Sequence, residues 1–341
     1  MYQDFLDLDD WELITSRIHE GTCVPFLGAA ANVSSSDGKY QGLPLGGDVS
    51  LGMAELWMQL KGVDLKSMTE VKSPENIEQS RLKDYKDLTR VSLYNLARVA
   101  LHVRVRQDYP RVIQYLRALI PEDNCQPSPL LRTLAKLPLP AKVANPPFRL
   151  IVTTNYDRLM ERALDDQGYR EGKDYRILVQ PIEGFDPKTQ RKLEKELAVY
   201  QGIVVYKIHG SFAKDQDKDA SSVVVTEEDY IEFLLAVMKP KLGVPNLVKS
   251  KLVGSTLLFL GYSLEDWDFR TLFKGLIEGL PDRNKLTSYA IQHDPPDFWV
   301  KFWDKKDVRI RNVDLYAFAK ELRQRLGIQI DDDLNADDEK A

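Results

Sequence analysis

The chain has 341 residues with 43% apolar content, enough for one large soluble domain or two modest ones. Its 47 basic and 52 acidic residues give a net charge of −5, all of it attributable to the tail Asp331–Ala341 with six acids and one lysine; the near-neutral body lacks the basic character of a direct nucleic-acid binder. Two cysteines, Cys23 and Cys125, exclude a disulfide framework and favour the reducing cytoplasm. Met1–Asp10 is acidic without the apolar run of a signal peptide, and no stretch is long enough to span a bilayer.

The helical spacing of Trp11, Ile14 and Ile18 predicts a helix over Asp9–Glu20. Cys23–Leu27 reads as the first strand. It feeds a small-residue turn, Gly28-Ala-Ala-Ala-Asn32, and a helix follows over Val49–Leu60. The stretch Lys61–Leu119 is charged and helix-favouring, with breaks at Pro74 and Pro110, and reads as a helical insertion or cap. A helix over Pro129–Lys136 and a Pro-rich loop, Pro138–Pro147, come next. Strands at Arg149–Thr153, Ile203–Ile208 and Ser255–Leu260 alternate with helices, including Asp157–Leu164, and Thr287–Gln292 and Val308–Ile310 are further strand candidates. Asp314–Leu326 reads as a closing helix. The alternation predicts an α/β fold, a Rossmann-like parallel sheet with helices on both faces, in one domain over 1–330 with an insertion at about 61–119. An acidic, disordered tail would cover 331–341.

Four apolar runs end in polar or glycine-rich turns, where open α/β sheets place ligand chemistry. The first is Gly28-Ala29-Ala30-Ala31-Asn32, whose small residues let a backbone approach a phosphate; alone it is equally a tight strand-to-helix turn. The second is Thr153-Thr154-Asn155-Tyr156-Asp157, which also suits a simple helix cap. The third is His209-Gly210-Ser211. His19, His102 and His293 fit surface or packing roles, whereas His209 ends an apolar strand, suiting either a structural histidine or a general base near neutral pH. The fourth is Gly261-Tyr262-Ser263, with Ser263 a candidate N-cap and Asp266 its partner three residues on; the turn also suits a ribose or adenine. The four together, in this order, are far more specific than any one.

In that order these turns resemble the sirtuin-like NAD-consuming domain, and more closely its bacterial antiphage branch, over roughly residues 10–325. The resemblance implies NAD as substrate, cleaved to nicotinamide and ADP-ribose. It implies Asn155 and His209 as catalytic residues, with Asp157 holding the nicotinamide and Thr154 beside it. Gly28, Ala29, Ala30 and Asn32 would serve the phosphates, and Gly210, Ser211, Gly261, Tyr262 and Ser263 the remainder of the nucleotide. The chain departs from the pattern in three places. Ala30 replaces a glycine and Asn32 a serine in the phosphate turn. Two cysteines cannot build the four-Cys zinc module of the deacylating members, so no zinc or other metal is expected. A Pro-Asp-Phe-Arg stretch is also missing, its place taken by Gly42–Asp48.

The resemblance further implies an effector subunit restrained by homo-oligomerisation or by a separate partner, such as an Argonaute-like sensor or a HerA-like ATPase, with neither nucleic acid nor membrane bound directly. The alternative is a non-catalytic subunit that senses NAD or ADP-ribose within an assembly, a reading that Ala30 favours. A protein deacylase is disfavoured by the missing cysteines.

Overall fold

The computed structural model describes residues 6–59, 93–137, 148–212, 223–239, 243–265, 267–275 and 286–329. Seven five-residue runs rich in β-branched and aromatic residues form strands: β1 (Cys23–Leu27), β2 (Arg149–Thr153), β3 (Tyr175–Val179), β4 (Ile203–Lys207), β5 (Thr256–Leu260), β6 (Ser288–Gln292) and β7 (Val308–Asn312). They pair in parallel in the order β3-β4-β2-β1-β5-β6-β7. β1, β2, β4 and β5 are buried at every position, as expected of parallel strands covered on both faces. β1 pairs with β5 along its whole length. With β2 it pairs only at Phe26 and Leu27, beyond Pro25, which has no N–H to donate.

Successive residues of these strands feed opposite cores. One face carries Leu27, Ile151, Val205 and Leu258 against α1 (Leu8–His19), α5 (Pro129–Ala135), α6 (Leu159–Asp166) and α12 (Leu315–Leu326). The other carries Phe26, Val152, Val204 and Phe259. These pack against α7 (Pro187–Leu197), α8 (Glu227–Val237), α9 (Asn246–Val253), α10 (Trp267–Phe273) and α11 (Asp297–Asp304). A third core joins α2 (Gly46–Gln59), α3 (Leu96–Arg106) and α4 (Tyr109–Leu119) through Met53, Val99, Val103, Val112 and Leu116. It rests on Phe212, Val223 and Val225, which follow β4. Two ion pairs, Arg98–Glu227 at 2.7 Å and Arg104–Asp229 at 2.7 Å, tie α3 to α8.

Three sequence readings change. β3 is an additional strand, at one sheet edge. The helix expected over Asp157–Leu164 begins at Leu159, because Asp157 stands outside it and accepts the Leu159 N–H through Oδ1 at 3.0 Å. Ser263 does not cap α10, which begins at Trp267; its hydroxyl takes the Glu265 N–H at 3.4 Å. Residues 61–92 of the expected insertion, the Pro-rich loop Pro138–Pro147, Asp266 and the acidic tail lie outside the described residues. No helix among the described residues is long and apolar enough to cross a membrane.

Asp10 locks the first helix to the last strand. It is fully buried on α1 and bonds Arg311 at 2.7 Å and Arg309 at 3.1 Å, both on β7. Burial alone would raise its carboxyl, but hydrogen bonds and charge from Arg311, with help from Tyr289 and Arg309, hold it below the usual carboxylate range. Asp10→Ala is expected to lower stability by about 2 kcal/mol, less than for an enclosed pair because Arg309 reaches solvent. Urea unfolding at neutral pH measures this. The difference from wild type should shrink as pH falls and the carboxyl protonates.

Candidate functional site

A cavity of about 570 Å³ opens where β1, β2, β4 and β5 end. The chain leaves β1 to one side of the sheet and returns through β5 on the other, so this is the topological switch point. Gly28, Ala29, Ala30, Thr154, Asn155, Asp157, His209, Gly261, Tyr262 and Ser263 line it. So do residues that the sequence reading passed over: Leu45–Gly47 before and at the start of α2, Tyr94–Ala97 at the start of α3, and Tyr156 and Tyr230. Asn32, Gly210 and Ser211 do not line it. Asn32 is buried behind Asp157, Gly210 turns the chain at φ +91°, and the Ser211 hydroxyl donates to the Phe212 carbonyl at 3.0 Å.

The floor is two turns pressed backbone against backbone. Gly28 N–H donates to the Leu260 carbonyl at 3.0 Å, and Ala30 N–H to that of Gly261 at 3.0 Å. A Cβ on Gly28 would sit 2.4 Å from the Gly261 carbonyl oxygen. One on Gly261, at φ +68°, would sit 2.1 Å from the Ala31 nitrogen. Only glycine fits at either place. Of the residues expected at the phosphates, Gly28 and Ala30 thus spend their amides within the protein. Ala31 N–H is also engaged, by Gly28 O at 3.0 Å, leaving the Ala29 amide as the one not engaged among the described residues. The segment after Gly28 is a four-residue 3-10 turn, Ala29–Asn32, without a long helix dipole behind it.

Asn155 is fixed by its own turn. Its N–H donates to Thr153 Oγ1 and its Nδ2 to the Gly28 carbonyl, each at 3.0 Å. The side-chain amine is thus occupied, and Oδ1 is what Asn155 offers to the cavity. Tyr156 points the other way, donating to the Val224 carbonyl at 2.6 Å and joining the third core.

Asp157 is 7% exposed. Its Oδ1 takes Asn32 Nδ2 at 3.3 Å as well as the Leu159 N–H. Burial pushes the carboxyl above its ordinary range, against the pull of the Lys207 charge and the Leu159 bond. Nearby, burial also raises Glu122, whose carboxylate takes the Arg158 N–H at 2.6 Å and feels the charge of Asp157. Lys207 and Glu161, both buried beneath this corner, are functional candidates that the sequence reading missed; a lysine closing an otherwise apolar strand was the available signal.

His209 meets the edges or faces of Tyr230 and Phe233, each with ring centroids 5.2 Å away. In this apolar setting burial pushes its imidazole down to about 3. It is therefore neutral across the physiological range and serves as a hydrogen-bonding group. The unfolded chain binds this proton first, so His209 costs stability as pH falls from about 6.5 toward 3, at about 1.4 kcal/mol per unit. Between pH 7 and pH 5 the wild type should lose about 2 kcal/mol that His209→Gln does not lose. The difference between their urea-unfolding free energies at the two pH values measures it.

Comparison with known proteins adds a resemblance over part of the chain. The family model of the SIR2-like domain matches residues 149–311. The NAD(+) hydrolase ThsA of Cytobacillus dafuensis is 31% identical over 126 residues, which are 37% of this chain and 21% of that protein. The chain therefore spans about a fifth of the length of the curated relative that it matches. A solved structure of Sir2Tm bound to a propionylated peptide aligns with 95% of this chain and 100% of its own at TM-score 0.41 and 13% identity. The family match runs from the first residue of β2 into β7 and takes in three of the four cavity turns. Residues 149–311 thus resemble a SIR2-like domain.

Proposed function

We propose that this cavity hydrolyses NAD to nicotinamide and ADP-ribose. The observation that carries the reading is the convergence of Asn155, Asp157 and His209 on one cavity at the switch point of a chain that resembles a SIR2-like domain over residues 149–311. The partial similarity to the NAD(+) hydrolase ThsA supports it.

The chemistry asks little of an acid. Nicotinamide leaves as a neutral molecule from a cationic pyridinium, through an oxocarbenium-like transition state. The protein must hold the ribose, exclude bulk water and place one water at C1′. In this reading the Asp157 carboxylate holds the nicotinamide carboxamide. Asn155, with Nδ2 tied to Gly28, accepts a hydrogen from the attacking water at Oδ1 and so turns the water's lone pair toward C1′. A water that has added to an oxocarbenium carbon is strongly acidic, so an imidazole of low basicity suffices to receive its proton. His209, neutral and dry, meets that need with its one unprotonated ring nitrogen. The Ala29 amide is offered to the pyrophosphate, and Gly261–Ser263 to the adenosine half. Zinc has no part in this scheme, and both cysteines are buried and free.

At the level of the cell, the reading is an effector of antiphage defence acting by NAD depletion, in the cytoplasm. Its restraint would come from self-assembly, a separate sensor or HerA-like ATPase, or the helices of 93–119, treated as a cap inserted into one 1–330 domain. A second reading is NAD or ADP-ribose binding without turnover, as a sensing subunit of an assembly.

Nicotinamide release from NAD, followed by chromatography, separates the two. Asn155→Ala and His209→Ala are each expected to lower release at least 100-fold while leaving the circular dichroism spectrum unchanged. Undiminished release by both variants would end the assignment. ADP-ribose binding without nicotinamide release, with the chain alone and with its partner, would favour the sensor.

A further inference from the structure

Lys207 is the last residue of β4, level with Thr153 on β2 and Val179 on β3. Its side chain is fully buried. The ammonium donates to the main-chain carbonyl of Asp157 and to Glu161 Oε1, the latter at 3.1 Å, and Glu161 is itself only 1% exposed. A buried charge pair costs desolvation, and an apolar side chain of similar volume often fills such a space with no loss of stability. Stability alone therefore does not account for a lysine here. Its placement does: one atom joins the turn that carries Asn155 and Asp157 to the end of the strand that His209 follows two residues later.

We propose that Lys207 is a positioning residue of the reactive corner, fixing the Asp157 carbonyl against β4 and, with Glu161, setting the charge of the carboxylate that faces the cavity. The first effect is geometric. Beyond the strand ladder, the turn's other backbone ties to this stretch are the Ile208 N–H on the Thr153 carbonyl at 2.9 Å and the Phe212 N–H on the Tyr156 carbonyl at 2.8 Å. Losing the clamp moves Asn155 relative to His209. The second effect is electrostatic. Asp157 is faced by Lys207 from β4, Glu161 from α6, Glu122 and Cys125 from the turns between α4 and α5, Tyr40 from the loop before α2, and the neutral amide of Asn32. Lys207 is the cation in that ring that opposes burial, and Glu161 works against it. Glu161 Oε2 has no partner among the described residues, so the pair is held at one oxygen only.

The role in catalysis rests on the NAD reading of the cavity; the electrostatic role does not, and the test separates them. The carboxyl carbon of Asp157 is followed by NMR across pH in protein labelled with ¹³C-aspartate, the signal being assigned through Asp157→Asn. In parallel, kcat and KM for NAD are measured across pH. Lys207→Met is expected to move both the carboxyl midpoint and the acid limb of kcat/KM to higher pH, and to lower kcat roughly 10-fold to 100-fold with less change in KM. Lys207→Arg should restore part of both. Glu161→Gln should move the midpoint and the limb the opposite way, to lower pH. A Lys207→Met protein that melts earlier but titrates and turns over as wild type does would overturn the proposal, as would shifts of one sign in both variants. If Lys207→Met does not fold, Glu161→Gln decides alone: a downward shift supports the proposal and an unmoved midpoint rejects it. A wild type whose carboxyl responds to these changes, yet which releases no nicotinamide with or without its partner, rejects NAD hydrolysis and leaves the electrostatic role of Lys207 standing.

Discussion

Two loops of main chain occupy almost the same space at the centre of this sheet. The Gly28 turn and the Gly261 turn approach until a methyl group on either would overlap the other's backbone, and they exchange the bonds from Gly28 to Leu260 and from Ala30 to Gly261. Everything at the cavity takes its position from this contact. It fixes how far β1 and β5 extend before they diverge. It sets the carbonyl of Gly28 where Asn155 Nδ2 meets it, and so orients the one side chain offered through its amide oxygen. It also uses up the amides that a phosphate-binding turn normally leaves open, an arrangement with geometric precision at the expense of anion affinity.

Charge around the reactive corner follows burial. Asp157, Glu161 and Lys207 lie beneath it, almost out of solvent, while His209 is kept neutral between two aromatic rings. Such a dry site strengthens every local electrostatic interaction. It also means that the ionisation of the corner is governed by a few named neighbours. The surface, with its scattered exposed pairs, matters much less.

How much of this the sequence discloses depends on the range of the interaction. An apolar run closed by glycine and polar residues is a local pattern, and it locates the ends of β1, β2, β4 and β5 well. β3 is less visible because it lies at the sheet edge, with Arg176 and a half-buried Ile177 breaking the apolar run. The start of α6 is displaced because Asp157 is both a cap and a cavity residue, and a periodicity argument cannot give it two roles. Wholly long-range features leave no trace. The pairing of Asn32 with Asp157 spans 125 positions, and that of Lys207 with Glu161 spans 46. The basicity of His209 is set by Tyr230 and Phe233 on a helix that follows later in the chain. The outer wall of the cavity, from Tyr94 to Ala97, comes from a stretch whose composition speaks only of helix.

The contact between the two turns also orders events in time. β1 precedes the other six strands, yet its partner along its full length is β5, and the amide of Gly28 waits for the carbonyl of Leu260. Loop closure over such a span is slow, and contacts of this kind form late in folding. Helices and the β2–β4 ladder have what they need sooner. Until β5 is synthesised and docked, the first turn has no floor beneath it and Asn155 has no fixed carbonyl to hold. The nascent chain can therefore be largely structured and still lack a cavity.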